Sequence, residues 1–112
     1  MNMIQDTIAE LEARIEKAES VKPENRAELL RLLATLRSEI GALSETHGED
    51  AESIAGFTTV STHEALREKK NPELMQLSLE GLASSVEQLE KSHPSLVQIV
   101  NRICETLANL GI

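Results

Sequence analysis

The chain has 112 residues, 40% of them hydrophobic, and a formal net charge of −8, which suits one compact domain and leaves too little for two ordinary ones. Surplus negative charge repels phosphate, and with no Trp, no Tyr and Phe57 as the single Phe, bases have almost nothing to stack on, so nucleic acid is not an expected partner. Cys104 is the only cysteine, which excludes an intrachain disulfide and a zinc site built from several thiolates of one chain.

Apolar residues at Ile4, Ile8, Leu11, Ile15 and Ala18 alternate spacings of four and three, the signature of one narrow stripe on a helix. The spacing predicts an amphipathic helix over 3–20, its other faces carrying Glu10, Glu12, Arg14, Glu16 and Lys17. Pro23 suits the first position of a second helix, where its missing N–H costs nothing, and Glu24 favours the positive end of the helix dipole. That helix carries Leu29, Leu33, Leu36, Ile40 and Leu43, widened by Leu30 and Leu32, and should end near Glu45. With so short a link between them, the two helices are expected to fold back antiparallel.

Gly48, Glu49 and Asp50 read as a break. The stretch after it is ambiguous. Ala51, Ile54, Ala55, Thr58, Thr62, Ala65 and Leu66 trace a helical face, while Gly56, Thr58, Thr59 and Val60 are weak helix formers. A strand here would have no partner elsewhere in the chain, so a helix over 50–69 is expected. Asn71, Pro72 and Glu73 then supply an N-cap, a first-position proline and a first-turn acid. The fourth stripe runs Met75, Leu79, Leu82, Val86 and Leu89, broadened by Leu74 and Leu77, and stops before His93 and Pro94. Gly81 within it costs about 1 kcal/mol against Ala, which signals close approach of a neighbour. The last stripe is Leu96, Val100, Ile103, Leu107 and Leu110, and Gly111 with Ile112 should close it over Leu107.

These elements define an all-α fold, a single helical domain over 1–112. It consists of a hairpin over 3–45, a connecting segment over 50–69 and a hairpin over 72–110, packed as a small bundle with coiled-coil-like stripes. No stripe is long enough to stand alone as a coiled coil, so the helices must pack on one another.

Motifs for catalysis or cofactors are weak. Glu90 and His93 have the Glu-x-x-His spacing of di-iron bundles, but the motif occurs once and Pro94 follows it, so a turn or capping role is expected for His93. His47 and His63 have no second ligand at metal spacing. Cys104 sits beside Ile103 and four residues after Val100, the place of a small apolar filler, and the five glycines are scattered singly rather than gathered in a phosphate loop. No catalytic, cofactor-binding or metal-binding residue is assigned, and the protein is not expected to be an enzyme. The amino-terminal residues lack a basic segment leading into an apolar run, and no stretch approaches the ~20 apolar residues that span a bilayer. With its lone cysteine, the chain is expected in the cytoplasm, away from membranes.

One window stands out. Ser53 to His63 contains no Asp, Glu, Lys or Arg, yet holds Ile54, Phe57 and Val60. These three residues are the candidates for a contact between molecules, because a helix whose small face turns inward leaves Phe57 and Val60 on the outside. The expected function is that of a structural or interaction protein that self-associates, with a dimer favoured and a further protein partner open. The alternative is a small regulatory or ligand-binding bundle with an aliphatic pocket.

The runs Asp50–Phe57, Ser92–Val97 and Leu107–Ile112 resemble a family of short bacterial proteins classed as a domain of unknown function, number 4404. Its members close with a His-Pro-led helix ending in Asn, an aliphatic residue, Gly and Ile. The resemblance implies a bacterial origin and an all-helical fold, and it brings no activity, ligand or catalytic residue.

Overall fold

A computed structural model describes residues 2–111. Among them the chain forms α1 (Met3–Lys17), α2 (Pro23–Thr46), α3 (Gly48–Leu66), α4 (Pro72–Ser84) and α5 (Pro94–Gly111), with a short 3-10 turn at Glu87–Leu89 between the last two. The expected closure of Ile112 over Leu107 lies outside the described residues.

The start of α1 is fixed by a reciprocal cap that sequence reading missed. Gln5 N–H donates to Asn2 Oδ1 at 2.8 Å, Asn2 N–H donates to Gln5 Oε1 at 3.2 Å, and Asn2 Nδ2 donates to Ser44 Oγ at 2.7 Å. Two of the orphan N–H groups at the helix start are thereby satisfied while the helix is tied to α2. Gln5 lies over Gly41, where an added Cβ would stand 2.8 Å from Gln5 Cδ, and its Nε2 donates to the Arg37 carbonyl at 3.1 Å. Farther along, Arg37 pairs with Glu12 at 2.9 Å. Rising numbers on α1 meet falling numbers on α2, so the first hairpin is antiparallel as expected.

α1 ends at Lys17 rather than near residue 20, because Arg26 Nη2 organises a tight turn by donating to the carbonyls of Ala18 and Val21 at 2.7 and 2.9 Å. Val21, in the short link between the helices, is buried in that turn. The break expected at 48–50 shrinks to one residue. His47 caps α2 and precedes α3, with φ −132° and ψ 59°, and helical bonding resumes at once as Ala51 N–H reaches the His47 carbonyl at 2.9 Å.

The ambiguous segment is a continuous helix that stops at Leu66. Tertiary burial overrules its Thr and Gly content. Ala51, Ile54, Thr58, Ser61 and Thr62 are fully buried, and α3 touches α1, α2, α4 and α5, so it is a central element rather than a peripheral connector. Thr58 and Thr59 donate to the carbonyls four residues back at 2.7 and 2.8 Å, which lets these polar residues sit within a helix. Lys70 donates to the Ala65 carbonyl and covers the carboxyl end of α3.

α4 begins as expected, with Leu74 N–H donating to Asn71 Oδ1 at 3.1 Å. It ends at Ser84, earlier than the stripe suggested. Ser85 Oγ donates to the Leu82 carbonyl at 2.6 Å, and the backbone tightens to three-residue spacing at Val86 and Glu90. Val86 and Leu89 still reach the core, although not on the face of one continuous helix.

The stripes of α1, α2 and α5 meet in one aliphatic core that includes Ile8, Leu11, Ile15, Leu29, Leu33, Leu36, Ile40, Leu96, Val100, Ile103 and Leu107. α5 runs antiparallel to α2, with Ser95 bonded to Glu39 and Arg102 to Glu28. Leu74 and Leu77 depart from expectation. They are exposed, at 42% and 56%, because Met75, Ser78 and Leu82 take the inward face of α4 and positions 74 and 77 fall on another side of a 3.6-residue helix.

Candidate functional site

α3 and α4 lie side by side and antiparallel. Gln88 Nε2, in the 3-10 turn after α4, donates to Asp50 Oδ1 at 3.1 Å, and seven residues on along α3 the Phe57 ring covers Gly81 of α4. The same register brings Val60 level with Ser78, one residue from Leu77.

Of the three residues singled out in the sequence, two are on the surface. Phe57 and Val60 are 40% and 48% exposed, whereas Ile54 is fully buried. Ile54 is therefore corrected from a contact candidate to a core residue: it shares the inward face of α3 with Ala51, Thr58 and Ala65 and has no surface to offer. Leu74 and Leu77 join Phe57 and Val60 on this side of the molecule. A signal for them existed in the sequence, since three-residue spacing links them to each other but to no position of the inward stripe.

The surroundings of Phe57 and Val60 hold no Asp, Glu, Lys or Arg from 53 to 63, whereas the exposed Glu73 and Glu80 flank Leu77 about one turn to either side. On α3 these surroundings include Ser53 and Gly56; Glu64, at the far end of the window, is nearly buried and pairs with Arg67 at 2.9 Å. On α4 the strip reads Leu74, Leu77, Gly81 and Ser84, advancing by three or four residues. Between the two lips of α3 lies a cleft of about 250 Å³ lined by Ser53, Gly56, Phe57 and Val60.

A second concavity lies along a different strip of α4, facing α5. This open groove of about 650 Å³ is lined by Pro72, Met75, Leu79, Ala83 and Ala108, with Lys70 at one end and Gln76 and Glu80 on its rim. The Cys104 thiol lies close by, 3.9 Å from the Leu79 carbonyl oxygen. Burial pushes the thiol up from 9.0 to about 11, the Glu105 carboxylate adds to the rise, and a backbone hydrogen bond opposes it. A thiol so held is a poor nucleophile at neutral pH.

The rings of His47 and His93 meet edge to face, 5.3 Å apart at 81°, where the α2–α3 junction approaches the start of α5. Each Nδ1 is bonded to the hydroxyl of the preceding residue, Thr46 or Ser92, at 2.8 Å. Among the described residues no three His, Cys, Asp or Glu side chains converge as a metal-binding group would require, and no described helix is long and apolar enough to cross a membrane.

These features define an all-helical protein of five packed helices among the described residues, with exposed apolar side chains on α3 and α4 and an aliphatic groove between α4 and α5. The chain belongs to the family described as Domain of unknown function (DUF4404), whose model matches residues 29–112. The match spans most of α2 and the whole of α3, α4 and α5. No curated protein and no solved structure matches the chain.

Proposed function

We propose that this protein is a structural or interaction module that self-associates as a dimer through the α3/α4 face, without enzymatic activity. One observation carries the reading: Phe57, Val60, Leu74 and Leu77 are exposed on the adjacent helices α3 and α4, and residues 53–63 hold no Asp, Glu, Lys or Arg in a chain of net charge −8. Water gains when such a surface is covered, and two acidic molecules approach each other most readily where neither presents charge. A bacterial, cytoplasmic setting belongs to the same reading, since a free cysteine suits a reducing compartment.

Hydrogen exchange at low and high protein concentration tests the face directly. Protection at 53–63 and 74–81 should rise with concentration while α1 stays unchanged. Association that protects α1 or the α4/α5 groove instead would move the interface elsewhere.

The groove supports a second reading, a ligand-binding bundle that holds an aliphatic chain along Met75, Leu79 and Ala83. Its lining offers methylene and methyl contacts and no ring for stacking. Native mass spectrometry of the purified protein separates the two readings: a retained small molecule supports the second, and a ligand-free dimer supports the first.

A further inference from the structure

The groove between α4 and α5 has ends of opposite electrical character. Lys70 lies at the end beside Pro72, and Glu80 stands on the rim nearer Ala83. Glu105 belongs to the same acidic half, since it follows Cys104, which meets Leu79 from α5. The ammonium of Lys70 is already placed: it donates to the Ala65 carbonyl at the end of α3, and with three N–H donors it keeps two for a ligand. Pro72 to Glu80 spans about 12 Å of helix, longer than the roughly 8 Å over which exposed charges act at physiological salt. Between the ends the floor is Met75, Leu79, Ala83 and Ala108, without charge or ring. The volume of about 650 Å³ is that of a small-molecule site, and from Pro72 to Ala83 the groove extends about 17 Å along the helix, the proportions of an alkyl chain.

Resting on the ligand-binding reading of the groove, we infer that its occupant is one free fatty acid, with the carboxylate on Lys70 and the alkyl chain along Met75, Leu79 and Ala83. Leaving water drives the chain into the groove, and the two unlike ends set its direction. Reversed, the carboxylate would face Glu80. A cationic amphiphile has a worse seat, because Glu80 stands partway along the rim and already accepts from Gln76 Nε2 at 3.4 Å. Glu73, exposed in the first turn of α4, limits the head to a single small charge: a carboxylate reaches one ammonium, whereas a phosphate dianion would meet the acid beside it. A partner protein fits less well, since a stable interface engages roughly 20–30 residues a side and this floor offers a handful.

Methyl NMR at Met75, Ala83 and Ala108 follows titration with dodecanoate and, separately, with dodecyltrimethylammonium, each kept below its micelle concentration. The comparison is stringent, because a net charge of −8 draws the cation to the protein as a whole. Dodecanoate is expected to shift these methyls and saturate at one per chain, and dodecyltrimethylammonium to bind there at least tenfold more weakly. Lys70→Glu should reverse that order, which loss of the cap on α3 alone would not do, and Lys70→Arg should keep it. Lys70→Gln, expected to erase the preference, replaces Lys70→Glu if circular dichroism shows that variant unfolded. No shift with either probe overturns the ligand-binding reading and this inference with it. Wild-type binding of the cation as tight as that of dodecanoate, or a preference for dodecanoate that survives both Lys70→Glu and Lys70→Gln, overturns the placement of the carboxylate alone.

Discussion

The Phe57 ring on α3 occupies the space that a side chain at position 81 of α4 would need: a Cβ built at Gly81 would stand 2.5 Å from Phe57 Cδ1 and 2.9 Å from Cζ. Gly81 thus accounts for how α3 and α4 approach, and the ring is both an internal spacer and an exposed group. The two interior glycines of this face have opposite surroundings, crowded at 81 and open at 56.

Opposite responses to alanine follow. Gly56→Ala gains helix propensity and should stabilise the monomer by about 0.5–1 kcal/mol. Gly81→Ala gains the same propensity but displaces the ring, at a cost of about 1–3 kcal/mol from overpacking, and should destabilise overall. In a Phe57→Ala background the sign at position 81 should reverse, because the clash is gone. Urea unfolding of dilute protein measures all four variants; a Gly81→Ala protein more stable than wild type with Phe57 in place would contradict the packing described.

Cys104 should react slowly in the folded state. Its thiol titrates near 11 because burial disfavours the thiolate, so alkylation by iodoacetamide at pH 7–8 should be far slower than in urea-unfolded chain. The linkage has a definite sign. The folded state holds this proton more tightly than the unfolded state, so the contribution to stability is fully present below pH 9 and is lost as pH rises toward 11. The stability of Cys104→Ala should accordingly fall less steeply than that of wild type across pH 9–11. Parallel curves through that window would show that burial does not hold the proton on this thiol.

The segment between α4 and α5 should open first. Its backbone bonds include the long pairs Val86 to Ala83 at 3.4 Å and Glu90 to Glu87 at 3.3 Å, and Glu87, Gln88 and Glu90 are exposed. Local opening is easiest where such bonds face water. Amides at 86–91 should exchange faster than those at 54–62 of α3, whose inward face is buried against four helices. Faster exchange at 54–62 than at 86–91 would contradict this.

What was legible in the sequence was set by local chemistry. Pro23, Asn71 with Pro72, and Pro94 mark helix starts through effects within a few residues, and the aliphatic stripes of α1, α2 and α5 have a period that only a helix satisfies. The misreadings lie where distant contacts decide. α3 was legible as a helix from the period of its small face, against its propensities, but that it is enclosed by four other helices rather than serving only as a connector was not. Leu74 and Leu77 looked like extra core because composition does not say which strip of α4 turns inward, and Ile54 looked available because the uncharged window was read as a whole rather than by face. The cap formed by Asn2 and Gln5 was within reach of sequence reasoning, since residues of those types three apart ahead of an apolar stripe are its usual signature.

The central claim, that the α3/α4 face joins two copies, is tested most directly by sedimentation equilibrium of wild type and Val60→Glu. Val60 is 48% exposed, so a carboxylate there can stay in water in the monomer, while in the dimer it would be buried on both sides. The wild type should move with concentration from 12.3 kDa toward twice that mass, and Val60→Glu should remain at the monomer mass with unchanged helix content. A wild type that never exceeds the monomer mass, or a Val60→Glu protein that dimerises as wild type does, would contradict the account.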